Sequence, residues 1–185
     1  VTPWQLRTAV RTIRDGGIIA YPTEAVYGLG CDPFNADAVL RLLALKQRPM
    51  AKGLILIAAG LDQLAPFIEP LTAQDLATVN ATWPGPVTWL LPARPETPTW
   101  LRGEHDTIAV RVTAHPLAAA LCRACGQALV STSANLTGHR PATTTLQLRR
   151  QFGHQIDYVL SGSLGGERRP TSIRDLATKK LIRPT

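Results

Sequence analysis

The chain has 185 residues, of which 45% are hydrophobic, enough for one sizeable core and too few for two full domains. Its apolar runs, such as Ile18-Ile19-Ala20 and Leu54-Ile55-Leu56-Ile57, are broken by Gly, Pro or charge long before the length of a membrane-spanning helix. A formal net charge of +7 selects anionic partners, and 5% aromatic content with no RNP-like strand or Arg/Gly-rich tail leaves out the stacking platform of a dedicated RNA binder, so a small anionic ligand is favoured.

The N-terminal segment predicts a helix: Thr2 is placed to cap it, Pro3 suits its first turn, and Leu6, Val10 and Ile13 recur at helical spacing until Gly16-Gly17. A strand is expected over 17–21, running into Tyr21-Pro22-Thr23-Glu24. Thr23 is a candidate substrate contact. Glu24 reads either as a surface carboxylate or as a ligand for a metal or a substrate ammonium. Gly28 and Gly30 in Tyr27-Gly-Leu-Gly-Cys31 sit where a backbone or ligand approaches closely.

A helix over 37–45 is followed by Lys46-Gln47-Arg48-Pro49, where Pro49 disfavours helical backbone at Arg48. If the chain is extended from there, Lys46, Arg48 and Lys52 project to one side as a polyphosphate clamp; the alternative is a solvated basic loop. A buried strand is expected over 53–58, and a Trp83-Pro-Gly-Pro turn leads into a strand over 87–91. In the strand over 108–112, Ile108, Val110 and Val112 face the core while Thr107, Ala109, Arg111 and Thr113 face away. Arg111 there is either at an edge or paired with an anion, and an amino-acid carboxylate would suit it.

His115-Pro116 opens a helix that runs to Cys125 and is closed by Gly126. Cys122 and Cys125 read as core thiols on that helix. Only Cys31 lies elsewhere, and an odd cysteine count with no basic-then-apolar leader points to a reducing cytosol. A strand over 128–130 ends in Ser131-Thr-Ser-Ala-Asn135, placing Ser131, Ser133 and Asn135 on one face where hydroxyls and an amide recognise phosphate, ribose or an amino-acid head group; a turn or capping role is the ordinary alternative. A helix over 146–152, a strand over 158–160 and two short strands around 177–180 complete the chain. Several connections are too short for parallel crossovers. The expected fold is therefore α/β, one domain over residues 1–185 with a twisted mixed sheet flanked by helices.

No Gly-x-x-x-x-Gly-Lys-Ser/Thr, full dinucleotide fingerprint or His-Glu-x-x-His is present, and His105, His115, His139 and His154 lack metal-ligand spacing. A nucleotide site here must be built another way, and a metal hydrolase is disfavoured.

Taken together, Tyr-Pro-Thr-Glu at 21–24, Tyr-Gly-Leu-Gly-Cys-Asp at 27–32, Lys-Gln-Arg-Pro at 46–49, Lys-Gly-Leu-Ile-Leu-Ile at 52–57, Trp-Pro-Gly-Pro-Val-Thr at 83–88, Ala-Val-Arg-Val at 109–112, Ser-Thr-Ser-Ala-Asn at 131–135 and Pro-Thr-Ser-Ile-Arg-Asp at 170–175 resemble the YrdC family, in its short, single-domain bacterial form. Each word is weak alone; eight in the family's order are specific.

The resemblance implies an open cleft over the sheet and the synthesis of threonylcarbamoyl-AMP and pyrophosphate from L-threonine, bicarbonate and ATP. That is the first step of the threonylcarbamoyladenosine modification at position 37 of tRNAs reading ANN codons. By the same resemblance Lys46, Arg48, Ser133 and Asn135 grip ATP and form the catalytic set, and Lys52, Thr107, Pro141 and Arg183 are further nucleotide contacts. Thr23, Arg111, Ser131 and Thr171 hold threonine and bicarbonate. Magnesium accompanies ATP with no tightly held protein metal, and TsaD, TsaB and TsaE act downstream. Longer relatives append a second domain. The competing class is a non-catalytic module for double-stranded RNA or tRNA, separable by its steep salt dependence.

Overall fold

The computed structural model describes residues 1–167 and 171–183. Pro170, the first residue of the 170–175 motif, lies outside them.

The first helix, α1 (Pro3–Arg14), starts as its sequence indicates: Thr2 and Gln5 form a reciprocal capping box and Pro3 occupies the first turn. Strands β1 (Ile19–Pro22) and β2 (Tyr27–Gly30) form a hairpin, and α2 (Ala36–Lys46) follows under an Asn35 cap. Strand β3 (Ile55–Ala58), helix α3 (Ala73–Asn80), β4 (Val87–Pro92), the short helix α4 (Thr99–Arg102) and β5 (Thr107–Val112) make up the middle. Then come α5 (Pro116–Cys125), β6 (Leu129–Ser133), α6 (Thr145–Phe152), β7 (Tyr158–Val159), β8 (Ser172–Asp175) and β9 (Leu181–Arg183).

The strands join in one sheet in the order β7-β1-β2-β6-β3-β5-β4-β8-β9. Among the described residues the pairs β1/β7, β3/β5 and β4/β8 are parallel and the others antiparallel, so the sheet is mixed, as the short connections require.

Strand alternation divides this sheet into two unlike faces. One face carries the larger apolar core: Leu29, Leu56, Val110, Val130 and Leu91 pack there with α2, α3 and Phe152 of α6. On the other face, Ile19, Tyr21, Ile57 and Leu129 pack under α1 and α5, which contribute Val10, Ile13, Ala118 and Leu121. Those two helices cover only part of that face. The residues left uncovered, Gly28, Ile55, Ala109, Arg111 and Ser131 among them, floor an open cavity.

Helices α3 and α4 and strand β2 were not legible in the sequence. Helix α3 buries only Val79, so it carries no apolar stripe to read; its start is set by Thr72, whose hydroxyl accepts from the Asp75 amide at 3.1 Å. Strand β2 hides behind its glycines, which lower strand propensity. The tertiary reason for Gly30 is the Tyr21 ring, which lies over it: a Cβ there would meet Tyr21 Cε1 at 2.9 Å and the Val130 carbonyl oxygen closer still. Gly30→Ala is therefore expected to destabilise the fold by about 1–3 kcal/mol, the usual cost of overpacking, as read by urea denaturation.

Candidate active-site cleft

The cavity has a volume of about 530 Å³, a size suited to a nucleotide-scale ligand. Arg48, Lys52, Arg102, Arg111 and Arg183 line it, and among the described lining residues there is no Asp or Glu. The guanidiniums are close enough to feel one another: burial first, then Arg111 and Arg48, pulls the pKa of Arg183 below its ordinary value, and burial does the same to Arg48. Such a concentration of cations is stabilised by an incoming anion.

At one end of the floor, β5 presents Arg111 from the middle of the sheet, with only 5% of its surface exposed. The edge-exposed alternative for Arg111 is thereby excluded. Its Nη1 donates to Thr171 Oγ1 at 2.8 Å, and its Nη2 lies 3.4 Å from Glu24 Oε2. Glu24 is not the surface carboxylate that was its ordinary reading; it is 4% exposed and its Oε1 accepts from Thr113 Oγ1 at 2.6 Å. Burial alone would raise the Glu24 pKa, but Arg111 and the Thr113 hydroxyl outweigh it and hold the carboxyl below its ordinary value. Nε of Arg111 is buried with no partner among the described residues. The turn between β1 and β2 supplies Thr23, whose hydroxyl donates to the Val26 carbonyl at 2.7 Å, and β6 supplies Ser131 alongside.

The basic segment differs from its expected geometry. Lys46 is the last residue of α2, Gln47 caps the helix in left-handed backbone with φ 51°, and residues 50–52 form a 3-10 turn. The extended arrangement that would align Lys46, Arg48 and Lys52 does not occur, because the helix runs one residue further than its apolar stripe. Lys46 is 5% exposed and turns away from the cavity: its ammonium donates to the carbonyls of Ser133 and Asn135, the latter at 2.7 Å. Burial, and secondarily Arg48, lowers its pKa from the ordinary 10.5 to about 8. Arg48 does face the cavity, with Nε and Nη2 both donating to the Gly53 carbonyl at 3.1 and 2.9 Å, and Lys52 stands exposed at the rim.

Ser133 and Asn135 line the same cavity, the Ser133 hydroxyl donating to Asn135 Oδ1 at 2.6 Å while the Asn135 amide donates to Leu136 and His139 carbonyls. Thr107, Pro141, Thr171 and Arg183 also line it, and Arg183 Nη2 donates to the Thr171 carbonyl at 2.8 Å. The cavity thus collects every singled-out site residue except Lys46, which acts on its wall, and Glu24, which pairs with Arg111 outside the lining. Sequence reasoning gave no site role to Arg102 and His105 at the rim or to Thr113 behind Glu24, although strand alternation had placed Thr113 on the same side as Arg111.

Among the described residues no group of three or more His, Cys, Asp or Glu is placed to hold a metal ion, and no helix is long and apolar enough to cross a membrane. Cys31 and Cys122 are buried thiols, and burial raises each to about 12.

The fold and this cleft define a class, α/β proteins with an open, cation-lined cavity over the uncovered part of one face of a mixed sheet. The sequence model of the Sua5/YciO/YrdC family, described as "Telomere recombination", matches residues 11–185, and the chain belongs to that family. It is 58% identical over 180 residues to the threonylcarbamoyl-AMP synthase of Nitrosococcus oceani, covering 97% of each chain, and 60% identical over 173 residues to that of Halorhodospira halophila, covering 94% of this chain and 91% of the other. Among solved structures, P. abyssi Sua5 complexed with L-threonine superposes with a TM-score of 0.89 at 32% identity, over 100% of this chain and 55% of that one. This chain therefore spans about half the length of Sua5. E. coli YciO gives a TM-score of 0.86 at 29% identity, over 98% of this chain and 90% of that one.

Two outcomes follow from the geometry. Glu24→Gln leaves Arg111 buried without its counter-charge and is expected to cost about 3 kcal/mol, the lower end for breaking a buried pair. Because the folded-state pKa of Glu24 is depressed, its contribution is complete above about 4.5 and is lost as pH falls through the folded value; the variant should flatten that acid limb in pH-dependent denaturation. Lys46→Met removes the tie between α2 and the Ser133–Asn135 segment, so amide exchange at 134–139 should quicken by about tenfold or more while α2 keeps its protection, the loss being on the scale of a carbonyl left unpaired.

Proposed function

We propose that this chain is an L-threonylcarbamoyladenylate synthase, a nucleotidyltransferase that joins L-threonine and bicarbonate and transfers the AMP of ATP to the resulting carbamate, releasing pyrophosphate. The observation that carries the reading is the division of the cavity. One end has a single buried arginine beside two hydroxyl side chains, and the remainder has several cations with no opposing carboxylate among the described lining residues. The first end fits an amino acid; the second fits a polyphosphate. The similarity to threonylcarbamoyl-AMP synthases and to the threonine-bound Sua5 supports the same assignment.

In this reading Arg111, already tethered by Glu24 and Thr171, neutralises the threonine carboxylate, and Thr23 and Ser131 surround the rest of the molecule. Arg48, Lys52 and Arg183 face the phosphates of ATP, which enters as its magnesium complex; Ser133 and Asn135 also contact the nucleotide, with Thr107 and Pro141 lining the same cavity. No covalent enzyme nucleophile is required. The threonine amine attacks the carbon of bicarbonate, the C–OH bond breaks, and the hydroxyl leaves as water with the proton lost from nitrogen, giving the carbamate. A carbamate oxygen then displaces pyrophosphate at the α-phosphorus, and the cations stabilise the charge that accumulates on the leaving group. Lys46 serves this chemistry by holding the carbonyls of Ser133 and Asn135. The product feeds threonylcarbamoyladenosine formation on tRNA through TsaD, TsaB and TsaE, in a cytosol that keeps the three thiols free.

The test is pyrophosphate release from ATP, which should require both L-threonine and bicarbonate. Arg48→Ala is expected to slow turnover about a hundredfold, the scale of losing one donor to developing charge. Arg111→Ala should chiefly raise the KM for threonine and leave ATP binding near wild type by calorimetry. Release that proceeds without threonine would exclude the synthase reading, and loss of ATP binding in Arg111→Ala with threonine binding spared would invert the division of the cleft.

A further inference from the structure

Strand β2 places two glycines, Gly28 and Gly30, on the same face of the sheet, and the structure gives them different surroundings. Gly30 is covered by the Tyr21 ring, so its missing side chain is a packing requirement. Gly28 is open to the cavity. A Cβ built on it would stand 3.2 Å from Thr23 Cγ2, 3.4 Å from Ser131 Oγ and 3.5 Å from Tyr21 Cζ. Its φ is not among the positive ones, so the backbone itself does not call for glycine. What the absent side chain leaves is open cavity floor bordered by Thr23 and Ser131.

The borders of that floor are set by other contacts. The Thr23 hydroxyl is committed to the Val26 carbonyl at 2.7 Å, which turns its methyl toward Gly28; Tyr21 is fully buried and Ser131 is 5% exposed. A ligand atom resting on the open floor at Gly28 therefore lies between the Thr23 methyl and the Ser131 hydroxyl. An amino acid whose carboxylate lies on Arg111 and whose side chain rests on that floor meets an apolar contact on one side and a hydroxyl partner on the other. A β-carbon bearing both a methyl and a hydroxyl complements that pair.

Resting on the synthase reading above, we infer that Gly28 is the specificity-determining residue of the amino-acid subsite, its missing side chain making the room that admits a β-branched hydroxy amino acid. Gly28→Ala puts one methyl group on this floor with no strain in φ, at 3.2 Å from Thr23 Cγ2, so the Thr23 side chain must yield by a few tenths of an ångström. A group of that size in a subsite is worth roughly 10–200-fold in discrimination.

The experiment measures kcat/KM for pyrophosphate release, with ATP and bicarbonate saturating, for L-threonine, L-serine and glycine in wild type and Gly28→Ala, with calorimetric titration of each amino acid in parallel. The expected result is a fall of about a hundredfold for threonine, a smaller fall for serine, little change for glycine, unchanged ATP binding and at most a small drop in thermal midpoint. An equal fall for all three amino acids, or no fall for threonine, overturns the inference. If wild type releases no pyrophosphate with any amino acid, the synthase reading fails while titration still decides the role of Gly28: threonine binding lost selectively in the variant supports it, and wild type binding threonine no better than glycine overturns it.

Discussion

The structure is organised around one electrostatic constraint, a guanidinium in the middle of a sheet. Arg111 emerges from an interior strand, between Val110 and Val112, where water cannot solvate it, and an unpaired charge at that depth is prohibitive. Glu24 from the β1–β2 turn and Thr171 at the start of β8 provide its partners, and Thr113 in turn holds Glu24. Three segments far apart in sequence are thereby brought to one point. The same arrangement leaves Arg111 buried yet able to present its remaining surface to a ligand, because its counter-charge sits behind it and outside the cavity lining.

The second constraint is one of coverage. Helices α1 and α5 protect only the β1, β3 and β6 portion of their face, and the rest of that face is floored by small or polar residues, Gly28, Ala109 and Ser131, in place of the large aliphatics used opposite. A sheet with one mainly apolar face and one half-covered face needs no separate binding domain; the site is the uncovered sheet itself. Small floor residues keep the cavity deep, and the cations around its rim give it one sign of charge.

Lys46 illustrates how a motif residue shapes a site from behind it. Buried at the end of α2 and bonded to two carbonyls, it trades hydration for contact with the turn that carries Ser133 and Asn135, while Arg48 two residues later looks into the cavity. The left-handed Gln47 between them is what separates their directions. The alternation of an extended chain would have aimed both the same way.

Much of this protein was determined locally and could be read from its residues. The capping box at Thr2, the Pro116 to Gly126 helix, the alternation of β5 and the apolar runs of β3 and β6 set elements whose identity depends on neighbours within a few positions. The motifs placed Arg48, Arg111, Ser131, Ser133 and Asn135 as candidate site residues, and these do meet around one cavity. Only the tertiary structure decided that Glu24 is buried against Arg111, that Lys46 faces a loop, and that Gly28 leaves open cavity floor while Gly30 accommodates a ring. Each of these depends on an atom supplied from a distant segment, such as Arg111 to Glu24 or Ser133 to Lys46, and no local pattern of charge or periodicity encodes such a partner.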